Sequence, residues 1–190
     1  KRLDSERIDL YQCHWPDPST PVEETFTELQ KLRDEGLIRH IGVSNFSAHQ
    51  MAEAGRITGI SSNQVQYSML ERGIEDEVIP LCAETEVSVL PYGALGGGIL
   101  TGKYRRPPEF PRADARNFFY RFYREPLWGR VNRLIERLRG IACARGVPLS
   151  QVAVNWVLAC PEVSSCIVGC RKVSQLEDNL KAAELEMPPE

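Results

Sequence analysis

His14 closes the β-type run 8–14 (IDLYQCH), and Trp15, Pro16 and Asp17 follow it at once. The ring nitrogens of a histidine can donate or accept a proton, so one at the tip of a strand raises the question of what it serves. Other strand-like runs end comparably, on Ser44 and Asn45, Gln64 and Gln66, Tyr92 and Gly93, then Gly169 and Arg171. Strand interiors are normally apolar, so several amides at strand ends suit hydrogen bonding to a polar, planar ligand. Taken singly, each is an ordinary structural residue: a satisfied histidine, a loop-bonding amide, a core tyrosine.

The stretch GALGGGILTGKY (93–104) offers backbone N–H groups unobstructed by side chains, with Lys103 and Arg105 at its far end. It matches neither the GxxxxGK[ST] phosphate loop nor GxGxxG. A flexible linker is the bland alternative, but Leu95, Ile99 and Leu100 are poor linker residues, and the stretch reads as a pyrophosphate cradle. GCRKVSQLEDN (169–179) supplies a second anion site, with Arg171 and Lys172 just ahead of a helix start read at Ser174 with Glu177 in capping-box spacing.

These groups are positioned by an alternation of strands and amphipathic helices. Strands are expected at 8–14, 38–43, 63–68, 87–93 and 164–169. The first helix reads as capped by Thr20, with Pro21 at its first position, Glu23 closing a capping box and Gly36 as its stop; the second opens at Ser47 with Gln50. A third helix is expected near 74–85. After a long insertion (93–129), a helix carries Val131, Leu134, Ile135, Leu138, Ile141 and Ala142 on one face, and another starts at Ser150. The first four strand starts, 24 to 30 residues apart, imply parallel strands joined by helices. Periodicity leaves two architectures open, a complete five-stranded doubly wound sheet and part of a (β/α)8 barrel; both place ligands at the carboxyl ends of the strands.

With 190 residues and 42% hydrophobic content, the chain suits one domain over 1–190. No run approaches the roughly 20 apolar residues of a membrane span, and the first residues form no apolar leader, so a soluble, cytoplasmic protein that binds no membrane is expected. The net charge of −3 conceals an asymmetry: residues 103–145 hold twelve Lys/Arg against four Asp/Glu. A basic segment beside a glycine-rich loop suits a phosphorylated small molecule; the acidic remainder would repel nucleic acid. The six cysteines form no CxxC pair and read as reduced structural thiols. A zinc set from Cys13, His14, Cys166 and Cys170 lacks the usual ligand spacing, and no metal is expected.

In order and spacing, IDLYQCHWPD, GLIRHIGVSNFS, NQVQYSML, LPYGALGGGILTGKY and SSCIVGCRKVSQLEDNL resemble strands four to eight of an aldo-keto reductase. The similarity spans the whole chain and is closest to a branch with a GGxLTGKY loop that includes bacterial oxidoreductases and potassium-channel β-subunits. It implies an α/β fold of the (β/α)8 TIM barrel family, here a partial barrel of about five βα units. It also implies NADP(H) as cofactor and an aldehyde or ketone as small-molecule substrate. By the same resemblance His14 is catalytic, hydrogen-bonding the substrate carbonyl, and Trp15 binds substrate. Ser44, Asn45 and Gln64 hold the nicotinamide carboxamide and Tyr92 stacks on its ring. Gly93, Leu95, Gly97 and Lys103 form the pyrophosphate loop, and Arg171, Gln175 and Asn179 hold the adenosine and 2′-phosphate. The family's proton-donating tyrosine, its lysine and its aspartate lie on the first three strands, which have no counterpart in this sequence. KRLDSER (1–7) reads as a helix tail and the chain, ending on MPPE, reads as cut at both ends. An alternative is a non-catalytic NADP(H)-binding regulatory subunit or redox sensor. Substrate choice is expected to involve the insertion 106–127.

Overall fold

The computed structural model describes residues 4–186. Four strands, β1 (Ile8–Cys13), β2 (Ile38–Ser44), β3 (Ser62–Gln66) and β4 (Ser88–Tyr92), form one sheet in the order β1-β2-β3-β4. β1 pairs parallel with β2, and β2 with β3. Neighbours in strict chain order are the barrel pattern, whereas a doubly wound sheet reverses order at a switch point, so the connectivity decides between the two architectures.

The fifth strand, expected at 164–169, is a correction. Two isolated parallel bridges, Val89↔Val163 and Tyr92↔Ile167, stand in its place. Val89 both donates to Glu162 O and accepts from Ser164 N. Two residues on, Pro91 accepts from Ile167 N but has no N–H to return, which breaks the ladder. Three residues lie between the bridged positions on one side and two on the other, a one-residue bulge.

The helices are α1 (Val22–Asp34), α2 (Ala48–Gly55), α3 (Val78–Thr85), α4 (Arg116–Phe119), α5 (Leu127–Arg145), α6 (Leu149–Leu158) and α7 (Val173–Leu180). The Ser47–Gln50 capping box forms as expected. The Thr20 cap does not: α1 begins at Val22, one residue later than expected, with Pro21 in the N-cap position and no side-chain cap, and the Thr20 hydroxyl donates instead to Asp17 Oδ2, a carboxylate that also accepts from Ser19 N and Oγ. The Ser174 cap is likewise replaced. Gln175 Oε1 accepts from Arg171 N and Lys172 N, which starts α7 at Val173 and leaves Ser174 inside its first turn. Helix α3 is shorter than the expected 74–85, and Ile141, placed on the buried face of α5, is exposed. Residues 4–7 are not helical, because Ser5 Oγ bonds Arg7 O and N and competes with helical pairing. The rest of that expected helix tail, Lys1–Leu3, and the MPPE ending lie outside the described residues. Among the described residues no single helix is long and apolar enough to cross a membrane.

The residues gather into two compact units. The first comprises the chain through Gln66, Gly73–Leu90 and Glu162–Ser165. Its core joins Ile41 and Val43 of β2 and Val89 of β4 to Phe26 of α1, Met51 of α2 and Cys82 of α3. Phe26 meets Phe46 edge-on, with ring centroids 5.8 Å apart. The second comprises Tyr67–Arg72, Pro91–Pro161 and the chain from Cys166. Here Ile99 and Leu100 of the glycine-rich stretch are wholly buried with Phe122, Trp128, Val131, Ile135 and Val152. A segment whose apolar residues anchor a core is no flexible linker.

Candidate functional site

In the first unit, the residues after β1 and β2 and at β3 form one hydrogen-bonded group. Asn45, held at φ +61°, donates from Nδ2 to His14 O (3.2 Å) and to Ser44 Oγ (3.0 Å). Ser44 Oγ and Asn45 N both donate to Gln64 O, each at 2.9 Å. Gln12 Nε2 donates to Gln64 Oε1 (2.9 Å), so the Gln64 amide keeps its Nε2 as a donor. Ser44 is buried; its hydroxyl fixes neighbours rather than facing solvent. His14 is the first residue beyond β1 and is exposed, with the exposed Trp15 ring tilted 49° to it at 6.1 Å. An exposed imidazole beside an exposed indole can meet a carbonyl compound arriving from solvent.

In the second unit, a cleft of about 690 Å³ is lined by Tyr92, Gly93, Leu95, Gly97, Lys103, Arg171, Gln175 and Asn179, all of them residues singled out in the sequence. Its floor is the 3-10 turn Gly96–Thr101, in which Gly97 (φ +66°) and Gly98 (φ +103°) take backbone angles that side chains disfavour. A Cβ on Gly97 would lie 2.9 Å from Tyr120 Cδ2, and one on Gly98 3.2 Å from Lys103 Nζ. The turn is held by Tyr123 OH donating to Gly96 O (3.4 Å) and by Arg139 Nη2 donating to Gly102 O.

Sequence reading missed Arg116, Tyr120 and Ser150 as site residues; they line the same cleft, as does Asp178 of the 169–179 segment. Arg116 grips Asp114 with Nε on Oδ1 (2.9 Å) and Nη2 on Oδ2 (2.6 Å), donates to Tyr104 OH (3.2 Å), and lies 4.0 Å over the Phe110 ring. The hydrogen bonds from Arg116 hold the Asp114 carboxyl down at about 2, and the positive charge of Arg171 adds to the effect. Burial raises the Tyr92 and Tyr120 phenols, and Tyr120 raises Tyr92 further. The one available signal for Arg116 was its spacing from Asp114, two residues away; Tyr120 carried none.

Arg116 has its carboxylate partner, but among the described residues no carboxylate pairs with Lys103 or Arg171. Two cations without an ion-pair partner, a glycine floor that side chains would fill, and the start of α7 at Val173 make a cleft that fits the phosphates of a dinucleotide. Gln175 and Asn179 stand one helical turn apart on α7 beside Arg171. None of the six cysteines is in a disulfide, and among the described residues no group of three or more His, Cys, Asp or Glu is set to hold a metal.

A family model described as "Aldo/keto reductase family" matches residues 1–190. The chain is 38% identical to "Aldo-keto reductase YhdN" of Bacillus subtilis, over 93% of this chain and 54% of that protein. It is 33% identical to "Aldo-keto reductase yakc [NADP(+)]" of Schizosaccharomyces pombe, over 98% and 56%. A "Probable voltage-gated potassium channel subunit beta" of Arabidopsis thaliana is 34% identical, over 97% and 59%. Among solved structures, the glycerol dehydrogenase AKR11B4 from Gluconobacter oxydans superposes with a TM-score of 0.85 at 38% identity, covering 94% of this chain and 55% of the other. The chain thus spans about half the length of the curated relatives it matches.

Proposed function

This chain belongs to the Aldo/keto reductase family, and from that premise we propose that it is the cofactor-holding part of an NADPH-dependent oxidoreductase that reduces aldehydes or ketones to alcohols. The observation that carries the reading is the second unit's cleft, where Lys103 and Arg171 stand without carboxylate partners around a glycine floor. The Schizosaccharomyces pombe relative, with NADP(+) in its name, supports the phosphorylated cofactor.

In this proposal Lys103 and the N–H groups of Gly97 and Gly98 hold the pyrophosphate, and Arg171 meets the 2′-phosphate. Tyr92 offers a ring to stack on, and Asn45 and Gln64, their amides fixed by the bonds to His14 O and from Gln12, serve the carboxamide. NADPH, when bound, supplies the hydride. His14 orients and polarises the carbonyl oxygen, where negative charge develops, and a donor aimed at that charge is stronger in the transition state than in the ground state. Trp15 walls the apolar part of the substrate.

The test is a pair of proteins. The chain alone, which contains no group assigned as the proton donor, is expected to bind NADPH without reducing carbonyl compounds, since a general acid is typically worth about 10²–10⁴ in rate. A chimera preceded by the N-terminal portion of the Bacillus subtilis relative is expected to reduce aldehydes, and His14→Ala in it to lower turnover roughly 10²-fold with cofactor affinity hardly changed. Unchanged turnover for His14→Ala would reject the role. The Arabidopsis relative's name is that of a channel subunit, which favours a second reading in which the chain belongs to a non-catalytic subunit; on that reading the cleft still takes NADP(H), and saturable NADPH binding by a folded chimera that reduces nothing would select it.

A further inference from the structure

Helix α7 brings two side-chain amides to the cleft, and each has one end already engaged. Gln175 Oε1 accepts from Arg171 N (2.8 Å) and Lys172 N (3.2 Å), so Nε2 is the atom of that amide still able to donate. Asn179 Nδ2 donates to Cys170 Sγ (3.2 Å), which leaves Oδ1 as the acceptor. The Cys170 thiol is oriented in turn, its S–H donating to Val168 O at 3.7 Å while a sulfur lone pair receives the amide. The two residues stand one turn apart on α7, so this wall of the cleft carries one spare donor and one spare acceptor. Adenine carries the complementary pair, N7 accepting and N6–H2 donating, whereas a 6-oxopurine sets an oxygen against Asn179 Oδ1.

We infer that Cys170 is a positioning residue that fixes the Asn179 amide for an adenine and against a 6-oxopurine. The inference rests on the reading of this cleft as a dinucleotide site and adds the residue that sets its base selectivity. The thiol touches no part of the ligand. It acts by holding the amide oxygen forward, and without it the Asn179 amide can turn to offer Nδ2 to either base.

The experiment titrates NADPH and its hypoxanthine analogue, deamino-NADPH, into the 190-residue chain and into Cys170→Ala and Cys170→Ser, with circular dichroism checking that each is folded. The wild-type chain is expected to prefer the adenine form by on the order of tenfold, the scale of one mismatched donor–acceptor pair. Cys170→Ala should shrink that preference at least about threefold, the scale of one neutral hydrogen bond, by weakening NADPH and not deamino-NADPH. Cys170→Ser, whose hydroxyl can still donate and accept, should restore much of the preference. A merely structural role would weaken both nucleotides alike and leave the ratio unmoved. If both bind the wild type and the ratio is the same in Cys170→Ala, the positioning role is overturned and the cleft reading stands; if neither binds the wild type, both fall.

Discussion

Replacing Gly97 by alanine separates the demands of the glycine floor from ordinary loop tolerance. The substitution does two things. It places a Cβ at φ +66°, ψ +11°, a left-handed conformation that costs an L-residue about 1–2 kcal/mol, and it sets that carbon 2.9 Å from Tyr120 Cδ2. The half-buried Tyr120 ring must shift, and with it one wall of the cleft. Gly140, inside α5 with nothing within 4 Å of a built Cβ, is the control. Alanine there removes a helical glycine and stabilises by about 0.5–1 kcal/mol. The two variants should therefore differ by about 1.5–3 kcal/mol in opposite directions from the wild type. Urea unfolding with unchanged slope reads this difference from the midpoints. NADPH affinity should fall in Gly97→Ala and stay level in Gly140→Ala. A Gly97→Ala protein unfolding at the wild-type midpoint would refute the strained-floor reasoning.

Two further outcomes follow from titrating groups. Because the Asp114 carboxyl is depressed from 3.8 to about 2 by Arg116, its stabilising contribution is complete above pH 3.8 and is lost as the pH falls through about 2. Asp114→Asn should flatten the stability profile in that window relative to wild type, and superimposable profiles would contradict the assignment. Burial pushes the Cys166 thiol up to about 11, so iodoacetamide at mildly alkaline pH should label the exposed Cys143 well before Cys166, as read by peptide mapping; equal rates would count against it.

How much of this was legible in the sequence depended on whether the information was local. Ser47 and Gln50 needed only each other, and their capping box forms as spaced. Thr20 had the same spacing to Glu23, but Asp17 outcompeted the helix for its hydroxyl, a rivalry that pattern reading ranks poorly. The expected strand at 164–169 failed because its partner, β4, lacks a donor at Pro91, a property of another segment. The glycine floor was visible because glycine's conformational freedom belongs to the residue itself. Arg116 and Tyr120 were not, since residues 104–126 have neither helical nor strand periodicity and are held at the cleft by the aromatic packing of Tyr104, Phe110 and Tyr123 and by the Arg116 bonds to Asp114 and Tyr104. The order of the motifs along the chain, and the family resemblance it carried, survived these local errors because it does not depend on where any one element begins.

The central claim is that the second unit's cleft holds a 2′-phosphorylated dinucleotide, and calorimetric titration of NADPH and NADH into the 190-residue chain tests it most directly. Lys103 and Arg171 should give saturable one-to-one binding with NADPH the tighter ligand, and Arg171→Ala should weaken NADPH by about 1–3 kcal/mol, the scale of one charge-assisted contact, while NADH changes little. Equal affinities for the two cofactors in the wild type, or equal losses in Arg171→Ala, would contradict it.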